Sequence, residues 1–313
     1  MESLLIALGG NALTMPGEEG NLQQQFQHAR ETMAELARIF AARPCRVVIS
    51  HGNGPQVGNV LLRSEHARDI LYPLTLDICV SDTEGGMGYM LQQVLHNELI
   101  RHGMQRDVVT IITQVEVDPC DPAMQNPSKF IGLWLSEEDA IKQADEQGWT
   151  VKQDSNRGWR RVVASPLPVD IVEKNVIHAI LDAGAIVIAG GGGGIPVMKS
   201  PGGMLLGVEG VVDKDLASAL LAARLGLETL VIVTAVEKVC LDFGKPGARS
   251  LDHLNAHDAI RLLREDQFPA GSMGPKISAA VNFLNSGGKR VVITCPGQVR
   301  DALDGRAGTA ITA

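Results

Sequence analysis

The sequence predicts an α/β fold, with a mainly parallel central sheet, helices on both faces, two lobes and an inserted subdomain. Short β-branched runs alternate with helical patterns along the chain, as βαβ units require. The 313 residues exceed the roughly 250–300 at which single cores stop growing, so two lobes sharing a cleft are expected. The boundary is placed at 206/207, giving lobes 1–206 and 207–313. A third observation is local: Asp118–Pro168 breaks the rhythm with Pro119, Pro122, Pro127, Pro166, Pro168 and all three tryptophans.

The chain opens on the apolar run Leu4–Leu8, a strand that passes directly into Gly9-Gly10-Asn11. In QQQFQHARETMAELARIF, Phe26, Ala29, Met33, Ala37 and Phe40 step by three or four and form one buried helical stripe. Arg46–Ser50 reads as the second strand and leads into His51-Gly52-Asn53-Gly54-Pro55. MGYMLQQVLHNELIRHG sets Met90, Val94 and Leu95 on one helix side, with Gly103 as its C-terminal cap. Val108–Thr113 is the third strand. The Asp118–Pro168 stretch, long and irregular, is expected to fold over a site. Ala185–Ala189 follows as a strand before Gly190–Gly194 and Ile195-Pro196, and a helix spans Asp213–Leu225. Leu230–Thr234 and Val291–Thr294 are the last strands; between them a helix starts at Pro275, where the missing N–H costs nothing, and ends near Gly287.

Bulk properties narrow the function. The net charge is -8, and the pI near 5.5 and mean hydropathy of +0.07 describe an ordinary globular chain and argue against a general nucleic-acid binder. No run approaches the roughly 18–20 apolar residues of a membrane span, and the acidic start lacks a signal peptide's basic region, so a cytoplasmic protein without membrane contact is expected. Cys45, Cys79, Cys120, Cys240 and Cys295 stand far apart without a C-x-x-C pair. They suggest neither a zinc ribbon nor a disulfide framework and read as small buried hydrophobes.

Chemistry concentrates in four glycine-rich turns, each read as following a strand: Gly9-Gly10-Asn11, His51–Pro55, Gly190–Gly194 and Gly271-Ser272-Met273-Gly274-Pro275-Lys276. Glycine lets backbone N–H groups approach an anion, and ligands of open α/β sheets collect at the strands' C-terminal edge. The lysine and hydroxyl of a GxxxxGK[ST] loop are missing. Lysines come from elsewhere: Lys214 between Asp213 and Asp215 at a helix start, Lys276 in the first turn of another helix, and Lys129 in NPSKF. A cation at a helix N-terminus is electrostatically unfavourable, so two of them there call for an anion. Other candidates are weaker. His253 and His257 in HLNAH are read as sharing a helix face but lack a third ligand, and no metal-ligand set is assigned. Lys152, Arg157, Arg160 and Arg161 around Trp159 form a basic patch that holds its own carboxylates or guides an anionic substrate.

LIALGGNAL, VVISHGNGPQVGN, PLTLDIC with GYMLQ, TQVEVD, NPSK, RGWRRVV, GGGGIPV, GVEGVVDKDLA, FGKPGA and GSMGPK occur in this order over nearly the whole chain. Together they closely resemble the carbamate kinases of the amino-acid kinase superfamily. The resemblance implies a three-layer αβα sandwich built as a homodimer, with an acid-binding N-terminal lobe and a nucleotide-binding C-terminal lobe. It also implies reversible phosphoryl transfer between ATP and carbamate, giving ADP and carbamoyl phosphate, with Mg2+. By residue match, Lys214 and Lys276 would neutralise the moving phosphoryl group, and Lys129 would reach over from the subdomain to the small acid or the phosphoryl group. Asp215 would orient the lysines and the magnesium shell. Gly9, Gly10, Asn11, Gly52, Asn53 and Gly54 would cradle the group in flight, and Gly271, Ser272, Met273, Gly274 and Thr234 would hold the nucleotide. The chain departs from the family at Thr234-Ala235-Val236-Glu237 and Val239-Cys240, where an acid is missing, and at FIGLWL, residues 130–135. At VSDTEGG, Asp82 and Glu84 are expected to add negative charge near the bound acid. Two alternatives follow: a sensor that binds nucleotide or carbamoyl phosphate without turnover, and a kinase for another small carboxylic acid.

Overall fold

The computed structural model describes residues 1–10, 13, 18–154, 158–269 and 271–313. Among these, the main sheet runs in the order His253–Asn255, Thr309–Thr312, Arg290–Thr294, Thr229–Val233, Glu2–Leu8, Cys45–His51, Ile186–Ala189, Val108–Ile111. Neighbours are parallel except for Arg290–Thr294 against Thr309–Thr312. The strand Glu2–Leu8 lies centrally, Leu8 opposite both His51 and Val233.

Side-chain alternation along the strands divides the core into two layers. Leu5, Ala7, Val48, Leu230 and Ile232 pack with residues of the helices Lys214–Arg224 and Met273–Asn285. Leu4, Ile6, Leu8, Val47, Ile49 and Val231 face the opposite way, onto Leu22–Ala42 and Leu76–Arg101. Both faces are therefore covered, which is why these strands read as unbroken apolar runs. The fold is a three-layer αβα sandwich.

Local chemistry sets the helix limits. Asn21 and Gln24 form a reciprocal capping box at the start of Leu22–Ala42. Asp213 caps Lys214–Arg224, its Oδ1 accepting the Asp215 N–H at 2.9 Å. The helix ending before Gly103 begins at Leu76 rather than Met87. Its added turns are short in strong apolar periodicity but bury Leu76, Cys79, Val80, Thr83 and Glu84. Cys45 and Cys79 are buried as expected, whereas Cys120 is exposed and Cys240 and Cys295 are only half-buried.

Within 118–168, Lys129–Leu135, Trp159–Val163 and Val151–Gln153 form a small antiparallel sheet with the helix Glu137–Gln147. Ile131 and Val163 seat this excursion on Val57 and Leu61 of the helix Gln56–His66. A Cβ on Gly58 would lie 2.8 Å from Gly132 N, so the two backbones touch. Among the described residues, no helix is long and apolar enough to cross a membrane.

Candidate active site

The parallel strands deliver their C-terminal ends to one sheet edge, where a crevice of about 290 Å3 opens. Gly10, Gly52, Asn53 and Gly54 line it. Gly9 N–H donates to Val233 O at 2.9 Å and Gly52 N–H to Leu8 O at 3.0 Å, extending the strand ladder by one residue and fixing the spacing of the turns. Gly9 thus serves the ladder and is not part of the crevice wall. Asn11 lies outside the described residues, as does Arg157.

The glycine run at 190–194 is a packing requirement as well as a turn. A Cβ on Gly191 would lie 2.5 Å from His51 Nε2, on Gly192 2.3 Å from Asn53 Nδ2, and on Gly193 2.3 Å from Val212 O. Only a bare backbone fits beneath the neighbouring loops, and it brings Gly192 into the crevice wall.

Lys129, Lys214 and Lys276 all reach this crevice, together with Asp213 and Asp215. Lys276 Nζ donates to Asp215 Oδ2 at 2.9 Å, and Lys129 Nζ to Asp213 Oδ2 at 2.9 Å. Lys214 Nζ stands 2.7 Å from Asp215 Oδ1 as an ion pair. Its angles fall outside hydrogen-bond geometry, so the buried ammonium has no hydrogen-bond acceptor among the described residues. A buried ammonium lacking an acceptor is costly unless a ligand supplies one. Asp215 is itself 3% exposed. Burial pushes its carboxyl up, but the Lys214 and Lys276 charges and the Lys276 hydrogen bond outweigh that and hold it at about 2.

This depressed value predicts a pH effect. The contribution of Asp215 to stability is present above its ordinary 3.8 and is lost as pH falls toward about 2; linkage sets it at about 2 kcal/mol. Urea unfolding at about pH 5 and about pH 2.5 is expected to show Asp215→Asn losing less stability on acidification than the parent chain. Equal losses would contradict the assignment.

Behind the turns lies a buried supporting layer. Asn53 Nδ2 donates to Thr83 Oγ1 at 3.2 Å, and that hydroxyl donates to Val80 O at 2.8 Å. Burial lowers the His51 imidazole to about 4, against the pull of the Gly52 carbonyl, and Lys214 adds to the lowering. Neutral His51 therefore carries its proton on Nδ1, 3.0 Å from Gly52 O. Glu84 Oε1 and Oε2 accept the Gly191 and Thr113 amides at 2.9 and 3.1 Å. Burial raises its carboxyl to about 8, although those amides favour the charged form.

A second, mostly apolar pocket of about 150 Å3 adjoins the crevice, sharing Ser272 and Lys276 with it. Thr234 and Met273 line it with Ala235, Cys240 and Phe243. Gly271 and Ser272 reach the main crevice. Gly274 lines neither pocket, and its amide donates to Pro269 O at 3.0 Å.

Several expectations are corrected. The 271–276 segment does not follow a strand; it comes after the helix Ala256–Arg264, and from Met273 it is already the first turn of the helix Met273–Asn285. Asp82 is exposed and Glu84 is occupied by two amides, so neither adds charge to the crevice. His253 lies on a strand and His257 on a helix, both exposed, and no group of three metal-ligating side chains occurs among the described residues. Of the described arginines of the basic patch, Arg161 stacks on Trp149 and Arg160 on Trp134 rather than on Trp159. Arg160 and Asp213 enter the crevice although neither was singled out as a site residue. The arginine repeat in RGWRRVV was the available signal for the first, and the N-cap position for the second.

A model of the amino acid kinase family matches residues 2–295, and the chain belongs to that class of α/β phosphotransferases. Carbamate kinase of Pyrococcus horikoshii is 43% identical over 99% of this chain and 99% of its own. The carbamate kinase-like protein YahI of Escherichia coli is 44% identical over 99% and 98%. The solved carbamate kinase from Giardia lamblia bound to AMP-PNP superposes with a TM-score of 0.92 at 37% identity, covering 99% of this chain and 98% of that one. Within the class, the chain is a member of the carbamate kinase family.

Proposed function

We propose that this protein transfers a phosphoryl group reversibly between ATP and carbamate, giving ADP and carbamoyl phosphate. The observation that carries this reading is the convergence of Lys129, Lys214 and Lys276 on one glycine-walled crevice, with Asp213 and Asp215 tying them together. Carbamate attacks through an oxygen that is already anionic, so no general base is needed. The obstacle is repulsion between two anions, and fixed cations and N–H donors lower it.

In this reading, Gly10, Gly52 and Gly54 surround the phosphoryl group in transit. Lys214, lacking a hydrogen-bond acceptor among the described residues, donates to a phosphoryl oxygen, and Lys276 donates from the nucleotide side. Lys129 covers the group from the excursion, and Asp215 keeps Lys214 and Lys276 charged and placed. Thr234, Ser272 and Met273 bind the nucleoside in the adjoining pocket. A magnesium ion arriving with the nucleotide would neutralise charge on its phosphates. Asp215, whose Oδ1 lacks a hydrogen-bond partner among the described residues, suits the ion's water shell. Residues 1–206 hold the acid and 207–313 the nucleotide.

We place the enzyme in the cytoplasm as a homodimer. The helix Leu76–Arg101 exposes Ile78, Tyr89 and Ile100, and Ile112 is exposed just past the outer strand Val108–Ile111, a surface suited to a second copy. Sedimentation is expected to give twice the chain mass, and Tyr89→Glu to shift it toward the monomer; a monomeric parent chain would refute this surface. For the activity, purified protein with ADP, Mg2+ and carbamoyl phosphate is expected to form ATP. Tight binding of both ligands without ATP over hours would instead favour the sensor reading, which the missing acid at Ala235 supports.

A further inference from the structure

One cation of the crevice is still without a partner among the reactants. Arg160, on the strand Trp159–Val163, lines the crevice beside Phe130, Ile131 and Gly132. Its guanidinium carbon stands 4.9 Å from the Trp134 ring centre and 5.7 Å from that of Phe130. Nη1 donates to Asp154 Oδ2 at 3.1 Å and Nη2 to Gly132 O at 3.0 Å. The same Asp154 oxygen accepts Trp134 Nε1–H at 3.1 Å. The head group is thus clamped by two rings, a carboxylate and a carbonyl. Among the described residues its buried Nε–H has no acceptor. A guanidinium presents five N–H donors in one plane, so donors remain for a ligand.

We propose that Arg160 binds the planar oxygen-bearing end of the small acid, whether as carbamate or as the carbamoyl group of carbamoyl phosphate, and that Phe130 and Trp134 position it. The inference rests on the carbamate kinase reading. A planar fork matches an O–C–O group, whereas lysines act as point charges suited to the tetrahedral phosphoryl group. The lysines bridged by Asp215 stand with the glycine turns. Arg160 belongs to the excursion's part of the lining, with Val57 and Gly58 of the helix Gln56–His66 also at the crevice. Phe130 and Trp134 belong to the FIGLWL departure from the family pattern, and the clamp gives that departure a purpose: aromatic faces hold a cation that would otherwise swing into solvent.

The full chain tests this through separate KM values for carbamoyl phosphate and ADP in the ATP-forming direction. Arg160→Gln is expected to raise the KM for carbamoyl phosphate about 10–100-fold, the range for losing a charged hydrogen bond, and to change that for ADP by less than about 3-fold. Arg160→Lys recovers only part of the loss. Trp134→Leu gives a weaker version of the same selective defect, and Trp134→Phe, which keeps an aromatic face, largely reverses it. An unchanged KM for carbamoyl phosphate, or equal rises for both substrates, overturns the proposal. If Arg160→Gln does not fold, Arg160→Lys carries the same comparison. If the parent chain makes no ATP, the catalytic reading fails by itself. Calorimetry with carbamoyl phosphate then decides: weaker binding by Arg160→Gln supports Arg160, while equal affinity, or no binding by the parent chain, overturns it.

Discussion

Lys214→Ala is expected to lower the rate of ATP formation about 100–1,000-fold, corresponding to about 2.7–4 kcal/mol of lost transition-state stabilisation. The magnitude follows from burial. The Lys214 side chain is 13% exposed, so its charge acts on the migrating group with little screening by water. Lys276 and Lys129 keep donors for the phosphoryl group, but their bonds to Asp215 and Asp213 hold them at their own positions rather than at that of Lys214. The variant should stay folded, since Asp213 still caps the helix and Asp215 retains Lys276. Its loss should appear mainly in kcat. A rate within about 3-fold of the parent chain, with unchanged circular dichroism, would remove Lys214 from the chemistry.

Gly193→Ala carries the largest expected effect on stability. Gly193 has φ +97, and an added Cβ would lie 2.3 Å from Val212 O and 3.3 Å from Lys214 N. Backbone strain of about 1–2 kcal/mol and overpacking of about 1–3 kcal/mol add to about 2–5 kcal/mol. A fall in Tm of about 3–8 °C is expected. Relief of the clash must displace Val212–Lys214, so the remaining folded protein should also lose activity. Gly203→Ala separates strain from clash: φ is +81 there, but nothing lies within 4 Å of the new Cβ. Equal losses at the two positions would show that the contact with Val212 is not rigid.

The buried parallel strands were legible because packing on both faces makes them continuous apolar runs; Leu4–Leu8 became Glu2–Leu8 and Leu230–Thr234 became Thr229–Val233. Short peripheral strands such as His253–Asn255 and Leu205–Gly207 carry too few residues for a period to register. Charge was visible at Glu84, but its direction was not. Only the helix start at Leu76 turns residues 80, 83, 84 and 87 inward together. The 271–276 turn misled in the opposite way, since glycine and proline mark a break without saying whether a strand or a helix precedes it. Lys129, Lys214 and Lys276 were recognisable by motif. The arginine clamp depends on contacts between separate strands of the excursion, which no local spacing encodes.

Glu2–Leu8 is bonded to Cys45–His51 on one edge and to Thr229–Val233 on the other. Residues from both halves are thereby stitched into a single plate, and parting them like jaws would tear a ladder of main-chain bonds. Reactant entry and product escape must therefore proceed by motions smaller than a half-molecule, and amide exchange in those three strands should stay equally slow with the crevice empty or filled.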